Sequence, residues 1–186
     1  MSVQPRLLDH PFYQEWSRGE VSTETLAVYH RSYAEFIQRI PSYWQTVVNA
    51  FQPELPYGST IVQEERDHIV LWETWGRRFP RPDDVPSLRE ILLAFETMTP
   101  SQLLGAIQAF EMQQPEVAAT KIDGLVRYYG FAREDLKYFD VHLFEERHVR
   151  YGRDLAERYA NRREFEEGFA RGAELVYRSL DAFVSG

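Results

Sequence analysis

A chain of 186 residues that is 44% hydrophobic, 15% aromatic and 27% charged is sized and composed for one globular domain spanning 1–186, able to bury roughly 70% of the surface of its unfolded form. A formal charge of −8 with no run of Lys and Arg excludes a phosphate-tracking basic surface, so nucleic acid is not an expected partner. The lack of cysteine excludes disulfides, thiolate metal sites and thiol nucleophiles; the lack of an 18-residue apolar window or a basic-flanked leader makes the cytoplasm the expected compartment, away from any membrane.

Apolar residues recur at helical spacing in nearly every segment and strand-type alternation is almost missing, which predicts an all-α fold. In chain order the pattern predicts seven helices, at about 8–18, 22–51, 57–79, 87–97, 100–129 with a bend near Pro115, 133–160 and 162–184. Ser87-x-x-Glu90, Thr99-x-x-Gln102 and Asn161-x-x-Glu164 have the form of helix-opening caps, and Pro100 occupies a first helical position. The stretch from Pro80 to Pro86 reads as a rigid turn inside the domain.

Charged residues placed on the apolar faces of these helices carry the chemistry. In the third helix Ile61, Trp72, Trp75 and Phe79 form one stripe, and Glu65 and His68 fall inside it. Glu111 lies beside Leu104, Ile107 and Phe110 on the fifth. On the sixth, Tyr138, Val141, Val149 and Gly152 mark the inward direction, with Glu145 along it and His142 and His148 about 60° to either side. Burying a carboxylate costs several kcal/mol unless something compensates it. Three inward carboxylates and three inward imidazoles on three helices suit a pair of iron or manganese ions, and Glu65/His68 and Glu145/His148 repeat the Glu-x-x-His spacing of helix-bundle di-metal sites. Glu35 points away from its stripe and reads as solvated; Glu64 and Glu146 stand in reserve. The same residues also admit a purely structural network of buried Glu–His pairs.

His10-Pro11-Phe12-Tyr13-x-x-Trp16-x-x-Gly19, Phe110-Glu111-x-Gln113-x-Pro115, Lys121-Ile122-x-Gly124-Leu125 and Tyr138-Phe139-x-x-His142 resemble the death-domain-associating protein family, some members of which make p-aminobenzoate. The wider superfamily includes thiaminase II and pyrroloquinoline-quinone synthase. The resemblance runs from about Leu8 to about Leu155 and implies a haem-oxygenase-like seven-helix bundle with a di-metal oxidase site. It places metal ligands on Glu65 and His68, on Glu111, and on His142, Glu145 and His148. Relative to the family pattern, Glu65-x-x-His68 is shorter by about one helical turn. The last motif is one residue shorter and has Glu for Asp, which gives Glu146 the spacing of the family's acidic ligand. The resemblance further implies that Tyr13 supplies an aromatic ring and Lys121 an amino group for p-aminobenzoate; each also has a plain structural reading.

The expectation is therefore a non-haem oxidase or oxygenase with two iron ions, manganese being an alternative in one position. It would use O2 and either a small amino-acid-like or aromatic substrate or its own tyrosine, with an external reductant and a homodimer both compatible. The alternative is a metal-free small-molecule binder or cofactor-independent oxidase on the same fold. Thiaminase II chemistry lacks its cysteine, and no feature marks an interaction protein.

Overall fold

A computed structural model of the protein describes residues 2–51, 57–144 and 146–184. Among these residues there is no strand, and the chain forms α1 (Pro11–Arg18), α2 (Thr23–Phe51), α3 (Gly58–Gly76), α4 (Arg89–Glu96), α5 (Pro100–Glu111), α6 (Gln114–Tyr128), α7 (Lys137–His142), α8 (Glu146–Tyr159) and α9 (Arg162–Ser179). Among the described residues no helix is long and apolar enough to cross a membrane.

Two of the expected long helices are each divided. Pro115 has no N–H to offer the Glu111 carbonyl four residues earlier, so the helical ladder fails there and α5 ends at Glu111. The adjoining glutamines bond back to the last turn of α5: Gln113 Nε2 donates to the Ala109 carbonyl at 3.1 Å and Gln114 Nε2 to that of Phe110 at 3.5 Å. The expected helix at 133–160 becomes a short 3-10 turn at Arg133–Asp135 followed by α7 and α8, with tighter i to i+3 bonds from Leu143 and Phe144 closing α7. Val141, assigned above to the inward face, is instead 39% exposed, because the face of α7 does not continue into α8.

The caps explain several boundaries. Thr99 and Gln102 form the expected reciprocal box, and Asn161 accepts from the Glu164 N–H at 3.1 Å. Ser87 forms no box with Glu90; its hydroxyl accepts from the Arg89 N–H. His10 caps α1 through Nδ1, which accepts from the Phe12 N–H at 3.2 Å.

The main core is a cluster of aliphatic and aromatic side chains in which Trp16, Trp44, Trp72 and Trp75 are fully enclosed, with a smaller cluster of Val3, Ala109, Phe169 and Ala173 beside it. Helix α5 runs through it, buried on nearly all sides. Its contact with α9 is so close that a Cβ on Gly168 would lie 2.0 Å from the Gln102 carbonyl oxygen and one on Gly105 2.1 Å from that of Phe165. Helix α5 is thus fixed against α9 on one side and presents Glu111 to α2, α3 and α8 on the other.

Candidate metal centre

Glu65 and His68 lie on α3 in register with Ile61, Trp72 and Trp75, and all five are buried. One helical turn brings Glu65 Oε2 within 3.3 Å of His68 Nδ1. From α8, His148 directs Nδ1 at Glu65 Oε1, 3.0 Å away, and at Glu111 Oε2, 4.0 Å away. Ligand atoms of Glu65, Glu111 and His148 all fall within 4.8 Å of one another, an arrangement that could hold a metal ion. From α2 the Trp44 indole N–H donates to Glu111 Oε1 at 3.4 Å.

His142 joins from the end of α7. Its ring centroid lies 4.6 Å from that of His68, and its Nδ1 is 2.5 Å from the Tyr138 carbonyl oxygen of its own helix. A carbonyl can only accept, so Nδ1 carries the hydrogen and Nε2 the lone pair that a metal would use. Glu145 lies outside the described residues, and Glu146 is exposed at the start of α8. Glu35 is exposed, as expected.

Burial by itself would push the Glu65 carboxyl up, but the His148 and His68 imidazoles beside it outweigh that and hold the group below the usual carboxylate range. The donor set is carboxylate and imidazole, which suits iron or manganese. A further sign is His68 Nδ1: it is buried and, despite its nearness to Glu65, makes no well-formed hydrogen bond. A buried carboxylate and imidazole set in which His68 Nδ1 is left short of a hydrogen bond fits a cation, and these residues fit the metal their types suggest.

Tyr13 and Lys121 occupy a second site. The Lys121 ammonium nitrogen is buried among rings, 5.4 Å from the centroid of Tyr13, 5.8 Å from Trp16, 4.8 Å from Tyr29 and 5.5 Å from Phe139. Nζ donates to the Tyr29 hydroxyl at 2.6 Å. Burial lowers its pKa to about 7 and, with coupling to Tyr33, raises that of the Tyr13 phenol. Tyr13, Tyr29, Lys121 and Tyr138 line a void of about 10 Å³, room for roughly one water. The two sites adjoin through Tyr138, whose ring centroid is 4.3 Å from that of His142.

Three contributors escaped the sequence reading. Trp44 and Tyr29 fall on the apolar stripe of α2, and only the packing shows the Trp44 N–H reaching Glu111 and the Tyr29 hydroxyl oxygen accepting from Lys121. Gln108, one turn before Glu111, donates from Nε2 to the His148 carbonyl at 3.4 Å. Its burial on α5 is the one signal that periodicity could have given. A groove of about 600 Å³ lies along α5, α8 and α9, lined by Gln108, Val149, Arg153 and Phe165; none of the carboxylates or imidazoles of the cluster lines it.

Comparison with known proteins gives matching results. A family model described as an iron-containing redox enzyme matches residues 62–181. A 4-aminobenzoate synthase of Chlamydia muridarum is 28% identical over 166 residues, covering 80% of this chain and 70% of that protein. One of Nitrosomonas europaea is 29% identical over 168 residues, covering 75% and 68%. One of Chlamydia pneumoniae is 27% identical over 198 aligned positions, covering 96% and 88%. A crystal structure from Shewanella denitrificans, described as a domain of unknown function with a heme oxygenase-like fold, superposes with a TM-score of 0.74 at 16% identity, covering 95% of this chain and 85% of that one.

Proposed function

The chain belongs to the iron-containing redox enzyme family, and from that premise we propose that this oxidoreductase holds two metal ions between α3, α5, α7 and α8 and uses O2 to oxidise an aromatic or amino-acid-like group. The observation that carries the reading is the convergence of buried Glu65, Glu111 and His148 within 4.8 Å from three separate helices. Glu65, His68, Glu111, His142 and His148 are the ligands proposed from the described residues, and Glu145 completes the set proposed from the sequence.

Bound iron would supply the redox chemistry with O2, and an external reductant would keep it in the reduced form. The residues of the chain do the rest. Glu65 and Glu111 provide negative charge, Trp44 orients Glu111, and the Tyr138 carbonyl fixes the His142 ring. The aromatic core around α2 and α3 excludes bulk water from these groups.

The name shared by the relatives, 4-aminobenzoate synthase, supports a specific form of the reaction in which Tyr13 supplies the ring and Lys121 the nitrogen. The placement of Nζ against the Tyr13 ring, and a pKa that leaves a substantial neutral amine near pH 7, favour it.

The deciding measurement is metal content after expression with added iron, for the wild type and for Glu111→Ala. About two ions per chain, lost in the variant, is the expected result. A folded wild type free of metal would overturn the reading and leave the Glu and His residues as a structural network. For the specific product, protein labelled with ¹³C in tyrosine rings and ¹⁵N in the lysine side chain should release doubly labelled 4-aminobenzoate, while Tyr13→Phe and Lys121→Met release none.

A further inference from the structure

Glu64 is adjacent in sequence to Glu65 but faces a different way, and both of its oxygens are engaged. Oε1 accepts from Arg147 Nη2 at 2.7 Å. Oε2 accepts from the Tyr57 hydroxyl and lies 3.1 Å from His148 Nε2. The Arg147 guanidinium in turn sits 5.5 Å from the centroid of the Tyr57 ring. Three donors from α8 and the start of α3 therefore converge on one carboxylate, which is about one quarter exposed.

We propose that Glu64 is a positioning residue for the metal centre: it accepts the Nε2 hydrogen of His148 and so commits Nδ1 of that ring, and not Nε2, to the metal. The inference rests on the di-metal reading above and adds to it a residue outside the ligand set. Glu64 and Glu65 grip opposite edges of the same imidazole, at 3.1 Å and 3.0 Å. A neutral ring has one hydrogen and one lone pair. With the Nε2 hydrogen held by Glu64, the lone pair falls on Nδ1, on the side of Glu65 and Glu111. An outer carboxylate of this kind fixes the tautomer and plane of a ligand histidine and raises its basicity. Tyr57, Arg147 and His148 engage both oxygens of Glu64, which suits it to a place behind the ring and outside the ligand set. Tyr57 and Arg147 hold the carboxylate in place and keep it ionised.

Cobalt(II) affinity, titrated by absorbance for wild type, Glu64→Gln and Glu64→Ala, tests the assignment, with metal-free melting curves as the check on folding. Glu64→Ala should bind about 10- to 100-fold more weakly with the same number of ions at saturation. Glu64→Gln, whose amide oxygen still accepts a hydrogen, should fall between. In the zinc(II)-loaded wild type, ring ¹⁵N correlations should show a protonated Nε2 and a metal-bound Nδ1 for His148, identified by their absence in His148→Gln. Unchanged affinity in Glu64→Ala overturns the role of Glu64 alone. Loss of an ion at saturation in both variants overturns it by making Glu64 a ligand, as does a metal-bound Nε2. A folded wild type that takes up neither metal overturns the di-metal reading, and this one with it.

Discussion

Glu65 and Lys121 are both ionisable, both buried and placed in adjoining parts of one core, yet their surroundings drive them in opposite directions. Around Glu65 the burial cost is outweighed by two imidazoles, and the carboxyl stays ionised well below its ordinary range. Around Lys121 the Nζ hydrogen bond goes to a neutral phenol, so burial dominates and the amine is pushed down to about 7. The difference shows how a helical core prepares two chemistries from one kind of cost. Converging opposite partners keep charge in place for a cation to use, whereas rings alone strip a charge away and leave a nucleophile.

The largest expected effect breaks the first side of this comparison. Glu65→Ala removes the carboxylate that touches both His68 and His148, and metal affinity measured by chelator competition should fall by more than about 100-fold, beyond the range for outer-shell changes. Lys121→Met in the same assay should bind as the wild type does. Retention of metal by Glu65→Ala would remove it from the ligand set, and a loss in Lys121→Met would show that the two sites are not separable.

The second side is expected to show itself as stability. A lysine whose pKa is lowered to about 7 in the native state is favoured there as the neutral amine, while the unfolded chain binds a proton up to about pH 10.4. The unfolded state therefore holds more protons between these values, and stability rises with pH across that window. At pH 7 the cost of keeping Lys121 buried is on the order of 4 kcal/mol. Lys121→Met should recover much of it and flatten the rise from pH 7 to 10, as read from urea unfolding of metal-free protein. A variant no more stable than wild type at pH 7 would mean that the amine is better solvated than its enclosure by Tyr13, Trp16 and Tyr29 implies.

How much of this was legible in the sequence depends on whether a helix continues. Glu65, His68 and Glu111 could be read because α3 and α5 run unbroken through their apolar stripes, and a rotation of 100° per residue carries their direction faithfully. The same rule failed at Val141, because α7 stops before α8 and the accumulated angle loses its meaning across the turn. Pro115 suggested a bend; the full break comes with side-chain bonds from Gln113 and Gln114 back to the last turn of α5, which periodicity does not show. The contacts of Trp44, Gln108 and Tyr29 were not legible, since an apolar stripe says that a side chain is inward and says nothing of where its polar atoms end.

His10 is an intermediate case, and its expected effect is the smallest. It is fully buried like Lys121, but Nε2 lies 3.0 Å from Asp181 Oδ1 at the surface while Nδ1 accepts from the Phe12 N–H. Burial lowers its pKa, and the hydrogen bond and charge of Asp181 only partly oppose this. The native state thus favours the neutral ring, so the stability it contributes is present above the unfolded value of about 6.5 and is lost as pH falls below it. Protonating Nδ1 also removes the acceptor that caps α1, a contribution of about 1 kcal/mol. Asparagine at this position would keep a capping oxygen without a titrating ring. Urea midpoints at pH 7 and pH 5 should therefore drop less in His10→Asn than in wild type, with the difference worth about 1 kcal/mol. Parallel losses in the two proteins would mean that the acid sensitivity does not arise at the cap of α1, and that burial of the His10 ring leaves its proton affinity the same in the native and unfolded states.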